Sequence, residues 1–402
     1  MLSNPIQAGK VTLNTKSENM IVGICGLGKL GLPLALVLAK TGLQVYGVDI
    51  SKERIAEIES YKTTQAPEPK VTEYLQKYGR NLKLFSNDKM LKDASVVFVI
   101  THTPSFPDGH FDISSVENAV KSIHEVNPDC TIAVCSNIGI GNIDKLHKIH
   151  ERICLNPEAV ALGSVTEGFE NPKFVVIGAY TNEYAEVVRR IWRRVHDKPI
   201  YVVKPIEAEI IKLSINFNCS LGILFANVIG ELCEKFDIDS SKILDMIYKD
   251  RRDYKSGLGF SGPCFPRDVN CFKAIGIEKN AGSVQKLSTI LNDLNDYIVQ
   301  RYLEKIKSYK KKEIGILGVS FKPNVPYIYE SQPLKIAGEL IKEGYQVYIY
   351  DNLAEENAKK VLDKAIFCPS IEKCLNEAEV VFIGTSNYSK VQTNKPIVNP
   401  WK

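Results

Sequence analysis

MIVGICGLGKLGLPLALVLAKTGLQVYGVD, residues 20 to 49, is the stretch whose reading decides the fold. Met20 to Cys25 is an apolar run of strand length, Gly26, Gly28 and Gly31 form GxGxxG, and an apolar helical pattern runs on to Lys40. Gln44 to Val48 is a second strand, with Asp49 at its end, 18 residues after the last glycine. Together these make a βαβ opening. The glycines have separate duties: Gly26 permits the tight turn, Gly28 lets a pyrophosphate approach the helix N-terminus, and Gly31 lets the helix pack closely on the sheet. Asp49 is placed to accept hydrogen bonds from the adenosine ribose, and its charge repels a 2′-phosphate, so NAD is favoured over NADP, a preference that Lys52 tempers. Glycines alone are a weak signal, and a turn that binds no dinucleotide is the bland alternative; the order of strand, glycines, helix, strand and acid gives the motif its specificity.

Working outward, further apolar runs at Ser95 to Ile100, Thr131 to Cys135 and Phe174 to Ile177, separated by helix-like segments, predict a parallel sheet covered on both faces. The first domain is thus expected at 21–203, behind a polar extension at 1–20. From 204 to 309 the pattern is helical, interrupted by the Gly/Pro-rich segment Ser256 to Pro266. A second strand, helix, strand pattern occupies 310–402, through Glu313 to Val319, Pro333 to Glu343, Gln346 to Tyr350 and Val380 to Ile383. The expected class is α/β: an N-terminal Rossmann domain, a central helical domain with a long helix, and a C-terminal Rossmann-like domain.

At 402 residues the chain is too long for one ordinary core, in keeping with that division. A net charge of +4 gives no reason to expect a nucleic-acid or membrane surface. The ten cysteines include no CxxC pair and no zinc-ligand spacing, which argues for reduced thiols, no metal site and a cytoplasmic location. Residues 1–20 lack the apolar stretch of a signal peptide. Leu213 to Gly230 carries no charge, yet Ser214, Asn216, Asn218, Ser220 and Asn227 interrupt it, so it reads as a buried helix rather than a bilayer span.

Three places carry possible chemistry. Lys212 and Asn216 lie four residues apart on a predicted helix, where a cation and an amide donor can together hold an oxygen that gains charge; taken alone they are a solvated helix face. Cys264 sits in SGLGFSGPCFPRD, residues 256 to 268, where Arg267 can favour the thiolate or hold cofactor phosphate and Asp268 can orient a water; without that context it is an inert buried thiol. Glu158, in Asn156-Pro157-Glu158 after the apolar Ile153 to Leu155, is a candidate acid or base at a strand end. His147 and His150 have no third ligand nearby and read as a polar helix face. His102 reads as a residue that orients backbone, and Tyr327, Tyr329 and Tyr350 as a cluster unsurprising among 18 tyrosines.

Taken together, GLGKLGLPLA at 26 to 35, HTPSFPDGHFD at 102 to 112, NPEAVALG at 156 to 163, EAEIIKLSINF at 207 to 217, GFSGPCFPRD at 259 to 268 and ILGVSFKPN at 316 to 324 resemble the UDP-glucose/GDP-mannose dehydrogenase family. The resemblance implies a soluble homodimer through the central helix, with a nucleotide-sugar substrate and a place in polysaccharide precursor supply. It also implies a double oxidation of a C6 alcohol with two NAD and one water, in which Cys264 forms a thiohemiacetal and then a thioester. Lys212 and Asn216 would stabilise oxyanions, and Glu158 and Asp268 would handle protons and the hydrolytic water. Cofactor contacts would include Gly26, Leu27, Gly28, Lys29, Leu30, Gly31, Asp49, Thr103, Ser136 and Arg267. Substrate contacts would include Glu158, Lys212, Asn216, Tyr254, Lys255, Gly259, Phe260 and Lys322.

Departures from the family pattern gather around these contacts. Tyr329 stands for an arginine expected to clamp cofactor phosphate, Leu162 for a glutamate, Asn137 and Gly139 for the Thr and Pro of a turn, and Ser261 and Pro263 alter the cysteine loop. UDP-glucose is the first substrate expectation, with UDP-galactose, N-acetylhexosamine and GDP-mannose forms open. Two other readings stay open: a two-electron β-hydroxyacid dehydrogenase, in which Cys264 has no role, and a nucleotide-sugar or NAD binding protein that has lost catalysis.

Overall fold

The protein is described by a computed structural model at residues 20–61, 68–249, 254 and 256–401; most of the polar extension and Lys255 lie outside the described residues. Contacts group the chain into two compact units, one running up to Leu213 and the other from Ser214.

In the first unit, β1 (Ile21–Cys25), α1 (Gly31–Lys40) and β2 (Gln44–Val48) form the expected opening. An excursion through α2 (Lys52–Glu59) and α3 (Val71–Tyr78) leads to β3 (Leu82–Phe85). Then come β4 (Val96–Val99), α4 (Ser114–Val126), β5 (Thr131–Val134), α5 (Ile143–His147) and β6 (Ile153–Leu155). The series ends with α6 (Val165–Glu170), β7 (Val175–Ala179), α7 (Asn182–Val195) and β8 (Ile200–Val203). The sheet order is β3-β2-β1-β4-β5-β6-β7-β8. Residues Gly31 to Ala39 of α1 are all buried, because the helix is covered by the sheet on one side and by α3, α6 and α7 on others.

One sequence expectation needs correction. The sheet is parallel as far as β6, but β7 pairs antiparallel with it, Leu155 opposite Gly178. The chain between them holds only the six-residue α6, too short to carry it back along the sheet, so β7 starts at the end where β6 stops. The strands β3 and β8 are also present although no long apolar run announces them; β8 is an edge with Tyr201 and Val202 exposed.

A 31-residue helix, α8 (Pro205–Lys235), carries the chain into the second unit. It starts on a proline, and Glu207 accepts from the Lys204 N–H at 2.8 Å, as a capping glutamate does. By length and composition α8 could cross a bilayer, a test that core helices also pass. Its polar residues find partners in the chain: Asn227 accepts from the Gly257 N–H at 3.0 Å and donates to the Leu258 carbonyl at 3.3 Å.

The second unit continues with α9 (Ser240–Ile247), α10 (Phe265–Glu278), α11 (Gly282–Lys307) and β9 (Glu313–Leu317). It closes with α12 (Gln332–Lys342), β10 (Gln346–Tyr350), α13 (Glu355–Lys359), β11 (Ile366–Phe367), α14 (Ile371–Glu377), β12 (Val380–Ile383) and β13 (Ile397–Val398). Its sheet, β11-β10-β9-β12-β13, is parallel throughout. The helices expected to stand apart at 204–309 share a core with this sheet: Leu224, Phe260, Val269 and Ile298 join Ile314, Ile316, Val347 and Phe382 in one cluster.

Candidate active site

The glycine corner lies between β1 and α1. Gly26 has φ +98°, and a Cβ there would meet the Ile100 carbonyl oxygen at 2.3 Å; a Cβ on Gly31 would meet the Gly26 carbonyl oxygen at 1.8 Å. The fold itself therefore requires both glycines. Gly28 differs: a Cβ there would meet no atom of the described residues within 4 Å, so their packing does not call for a glycine at this position. The N-terminus of α1 has no side-chain cap and no acidic residue in its first turn, which leaves its dipole available to an anion. Half-buried Asp49 accepts from the Leu27 N–H at 2.8 Å and from the Ser51 N–H at 2.9 Å, and its carboxylate keeps acceptor sites for ribose hydroxyls. These features fit a dinucleotide. Leu27, Lys29 and Leu30 complete the turn, Leu27 fully buried and the other two half-buried.

One residue of this corner escaped the sequence reading. Arg54 is buried in α2 and donates its Nε–H to the Leu27 carbonyl at 2.9 Å, bracing the glycine turn from below. Its signal was hidden because an arginine in an amphipathic helix usually reads as surface. Ser136 has an additional role: its hydroxyl accepts from the Thr101 N–H at 2.9 Å and donates to the Thr101 carbonyl at 2.8 Å, tying the ends of β4 and β5 together. Thr103 is buried in the loop beyond.

Glu158 follows β6 at a corner that Asn156 fixes. Asn156 donates to the Val176 carbonyl at 2.8 Å and accepts from the Trp192 indole at 2.7 Å. Lys212, on α8, donates to the Glu158 carbonyl at 2.5 Å and to its carboxylate at 2.8 Å. Both side chains are nearly buried, so this pair is shielded from the screening that weakens surface ion pairs. One turn earlier, fully buried Glu209 accepts from the N–H groups of Gly141, Asn142 and Ile143 at 2.7, 3.0 and 2.8 Å. Burial raises the Glu209 pKa against the pull of those donors. The altered turn just before them has its own geometry: Gly139 adopts φ +78°, which a proline cannot, and its N–H reaches the Asn137 side chain at 3.4 Å. Leu162 packs against the core of this unit.

In the second unit Cys264 is the N-cap of the 14-residue α10, and it alone of the ten cysteines is exposed. Burial pushes the thiols of Cys154, Cys271 and Cys374 up to about 12, which leaves them inert. One turn on from Cys264, Asp268 is fully buried; it accepts from the Asn216 amide at 2.6 Å and from Arg267 Nε at 3.3 Å. Asn216 and Asp268, 52 residues apart, are thus brought together, and Lys212 and Asn216 fall on one helix as expected.

The segment leading to Cys264 lies against the loop 319–331. The Gly262 N–H donates to the Tyr329 carbonyl at 2.9 Å, and a Cβ on Gly262 would meet the Phe321 ring at 2.7 Å. Tyr254 and Phe260 are buried, while Gly259 and Lys322 are half-buried, with the Lys322 ammonium 5.8 Å from the Phe321 ring centroid. Tyr329 is exposed and stacks on Tyr327, whereas Tyr350 lies edge-on to Tyr388. His147 stacks on Tyr180, and His150 is buried with its Nδ1 3.1 Å from that of His124. Among the described residues no three His, Cys, Asp or Glu side chains gather as metal ligands.

Three sequence profiles of one family match the chain: the UDP-glucose/GDP-mannose dehydrogenase family's NAD binding domain at 20–196, its central domain at 206–297 and its UDP binding domain at 315–395. A UDP-glucose 6-dehydrogenase of Bacillus subtilis is 27% identical over 386 residues, 91% of this chain and 87% of that one. A GDP-mannose 6-dehydrogenase of Pseudomonas putida is also 27% identical, over 83% of this chain and 81% of its own. Among solved structures, a UDP-glucose dehydrogenase from Pyrobaculum islandicum superposes with a TM-score of 0.89 at 26% identity, covering 97% of this chain and 96% of that one.

Proposed function

The chain belongs to the UDP-glucose/GDP-mannose dehydrogenase family, and we propose that it oxidises UDP-glucose to UDP-glucuronate through a thioester on Cys264. At the coarser level it is an NAD-dependent nucleotide-sugar 6-dehydrogenase, an oxidoreductase. The observation that carries the finer reading is the exposed Cys264 thiol at the N-terminus of α10, with buried Asp268 one turn behind it. UDP-glucose is preferred on the NPE segment and on the relatives named for it; equal identity to a GDP-mannose enzyme leaves the choice to experiment.

When bound, NAD would supply a hydride acceptor, one hydride per molecule, so that the two oxidations draw on two NAD. The residues assigned to hold it are Gly26 to Gly31, Asp49, Thr103 and Ser136, with Arg267 for phosphate. Lys212 and Asn216 supply donors for negative charge on the substrate oxygen, and Glu158, paired with Lys212, receives the alcohol proton. The Cys264 sulfur adds to the aldehyde carbon to form a thiohemiacetal, which becomes a thioester at the second oxidation. Water oriented by Asp268 then breaks the C–S bond and frees the thiol. In total one alcohol, one water and two NAD become one carboxylate, two NADH and three protons. Lys322, Tyr254, Lys255, Gly259 and Phe260 are assigned to the nucleotide sugar.

The functional division keeps 21–203 for the cofactor, 204–309 for dimerisation and 310–402 for the nucleotide. Leu221, Phe225, Val228 and Leu232 of α8 are exposed at helical spacing, an apolar stripe suited to the same stripe of a second copy. Leu232→Lys should convert a dimer to a monomer by light scattering. A cytoplasmic location without nucleic-acid or membrane partners completes the reading.

The deciding experiment incubates the protein with NAD and a panel of nucleotide sugars and counts NADH per sugar. Two equivalents with UDP-glucose support the reading, and one equivalent, or full activity of Cys264→Ala, sinks it.

A further inference from the structure

We propose that Gln332 and Asn295 are positioning residues for Cys264, a buried amide clamp that holds the Gly259–Phe260 backbone and thereby sets the reach of the thiol in the second oxidation. The inference rests on the reading of Cys264 as the nucleophile.

Gln332 is the first residue of α12 and Asn295 lies mid-way along α11; both are buried, Gln332 almost completely. The Gln332 carbonyl oxygen accepts from the Gly259 N–H at 2.7 Å. Its NH2 group donates to the Asn295 backbone carbonyl at 3.0 Å and to the Asn295 side-chain oxygen at 3.1 Å. Asn295 in turn donates its own NH2 to the Phe260 carbonyl at 3.1 Å. One donor and one acceptor of the loop backbone are thus held by two side chains that also hold each other. The amide orientation is set by chemistry: reversing Gln332 would aim its NH2 at the Gly259 N–H.

The clamp explains the glycine at 259, where a Cβ would lie 2.1 Å from the Asn295 side-chain oxygen and 2.5 Å from the Gln332 nitrogen. It acts on a loop otherwise fixed upstream, where Gly257 is held by Asn227 at 3.0 Å and by the Tyr302 hydroxyl at 3.2 Å. Between the clamp and Cys264 lie only Ser261, Gly262 and Pro263, and Gly262 is bonded to Tyr329 on the segment leading into α12. A shift at Phe260 therefore has little slack to absorb it before the thiol. Attack on the aldehyde needs the sulfur in bonding distance, whereas removal of the first hydride does not involve it. Misplacement of a reacting atom by about 1 Å is enough to slow a step by about a hundredfold.

The test uses Gln332→Met, which keeps the volume and removes the bonds, and Asn295→Ser, which releases Phe260 and serves if the first variant does not fold. NADH per sugar is counted with UDP-glucose, or with whichever nucleotide sugar of the panel turns over. Cys264 alkylation by iodoacetamide is timed on the protein without NAD or sugar. The expected result is a fall from two NADH toward one with free sugar aldehyde in solution, and an alkylation rate changed by at least about threefold. A folded variant that keeps two NADH per sugar and the parent alkylation rate overturns the clamp. Cys264→Ser run alongside separates the failures. If it still yields two NADH, the nucleophile reading falls and takes the catalytic part of the proposal with it, while the alkylation rate still decides whether the amides position the thiol.

Discussion

The molecule builds the same corner twice. In the first unit the Gly26 N–H donates to the Val48 carbonyl, Gly26 has φ +98°, and Asp49 receives the Leu27 N–H at 2.8 Å. In the second the Gly318 N–H donates to the Tyr350 carbonyl, Gly318 has φ +89°, and Asp351 receives the Val319 N–H at 2.8 Å. From there they part. Asp351 is buried and also takes the N–H groups of Ser320, Leu353 and Ala354, at 3.1, 2.9 and 2.8 Å, whereas half-buried Asp49, among the described residues, takes that of Ser51 besides Leu27. The helix after Gly26 starts at Gly31 without a side-chain cap; the one after Gly318 waits until Gln332 and is capped by Ser331 at 3.3 Å. The first corner keeps a carboxylate and a helix N-terminus available, and the second satisfies its polar groups internally. A shared corner is thus a construction, and the polar groups left over decide whether it binds a dinucleotide.

Glycine substitution should break both corners alike. Gly31→Ala puts a methyl at 1.8 Å from the Gly26 carbonyl oxygen, and Gly318→Ala puts one at 2.0 Å from the Thr385 hydroxyl oxygen in a left-handed backbone. Each should cost about 3 kcal/mol or more in urea unfolding. If Gly318→Ala unfolds like the parent, the corners are not equivalent constructions.

The aspartates should then separate them. Asp351→Asn turns an NH2 toward converging N–H donors, which should cost about 2 kcal/mol of stability and leave the NAD dissociation constant unchanged. Asp49→Asn should do the reverse, with melting little altered, NAD binding weakened about tenfold by calorimetry, and NADP relatively less disfavoured. Weakened NAD binding in Asp351→Asn would end the division of labour.

The first corner was legible in sequence because everything that makes it is local: an apolar run, three glycines and an acid within one βαβ unit. The second was not, since a single glycine in LGVSFKPN and an aspartate 33 residues on carry no pattern until β9 and β10 are paired. The reversal of β7 depends on the path of a connection, which apolar runs do not record. Lys212, Asn216, Glu158, Cys264 and Asp268 stand out in the sequence as candidates through their residue types and ordered motifs. The residues that hold them, Asn156, Glu209, Asn295 and Gln332, are ordinary polar letters whose meaning comes from burial and from partners far along the chain.

Gly28→Ala is the finest test of the contrast. Gly26 and Gly31 are required by the fold, so substituting them cannot separate a binding defect from unfolding. Gly28 has an open side, so an added methyl meets no atom of the described residues and the chain loses a little unfolded-state freedom. Stability should stay within about 0.5 kcal/mol of the parent, by urea unfolding without ligand. NAD affinity should nonetheless fall about fivefold, since the methyl stands where the pyrophosphate must approach the N-terminus of α1. An unchanged dissociation constant would mean that the phosphates do not lie against this turn, and the resemblance between the two corners would then extend to their lack of a dinucleotide.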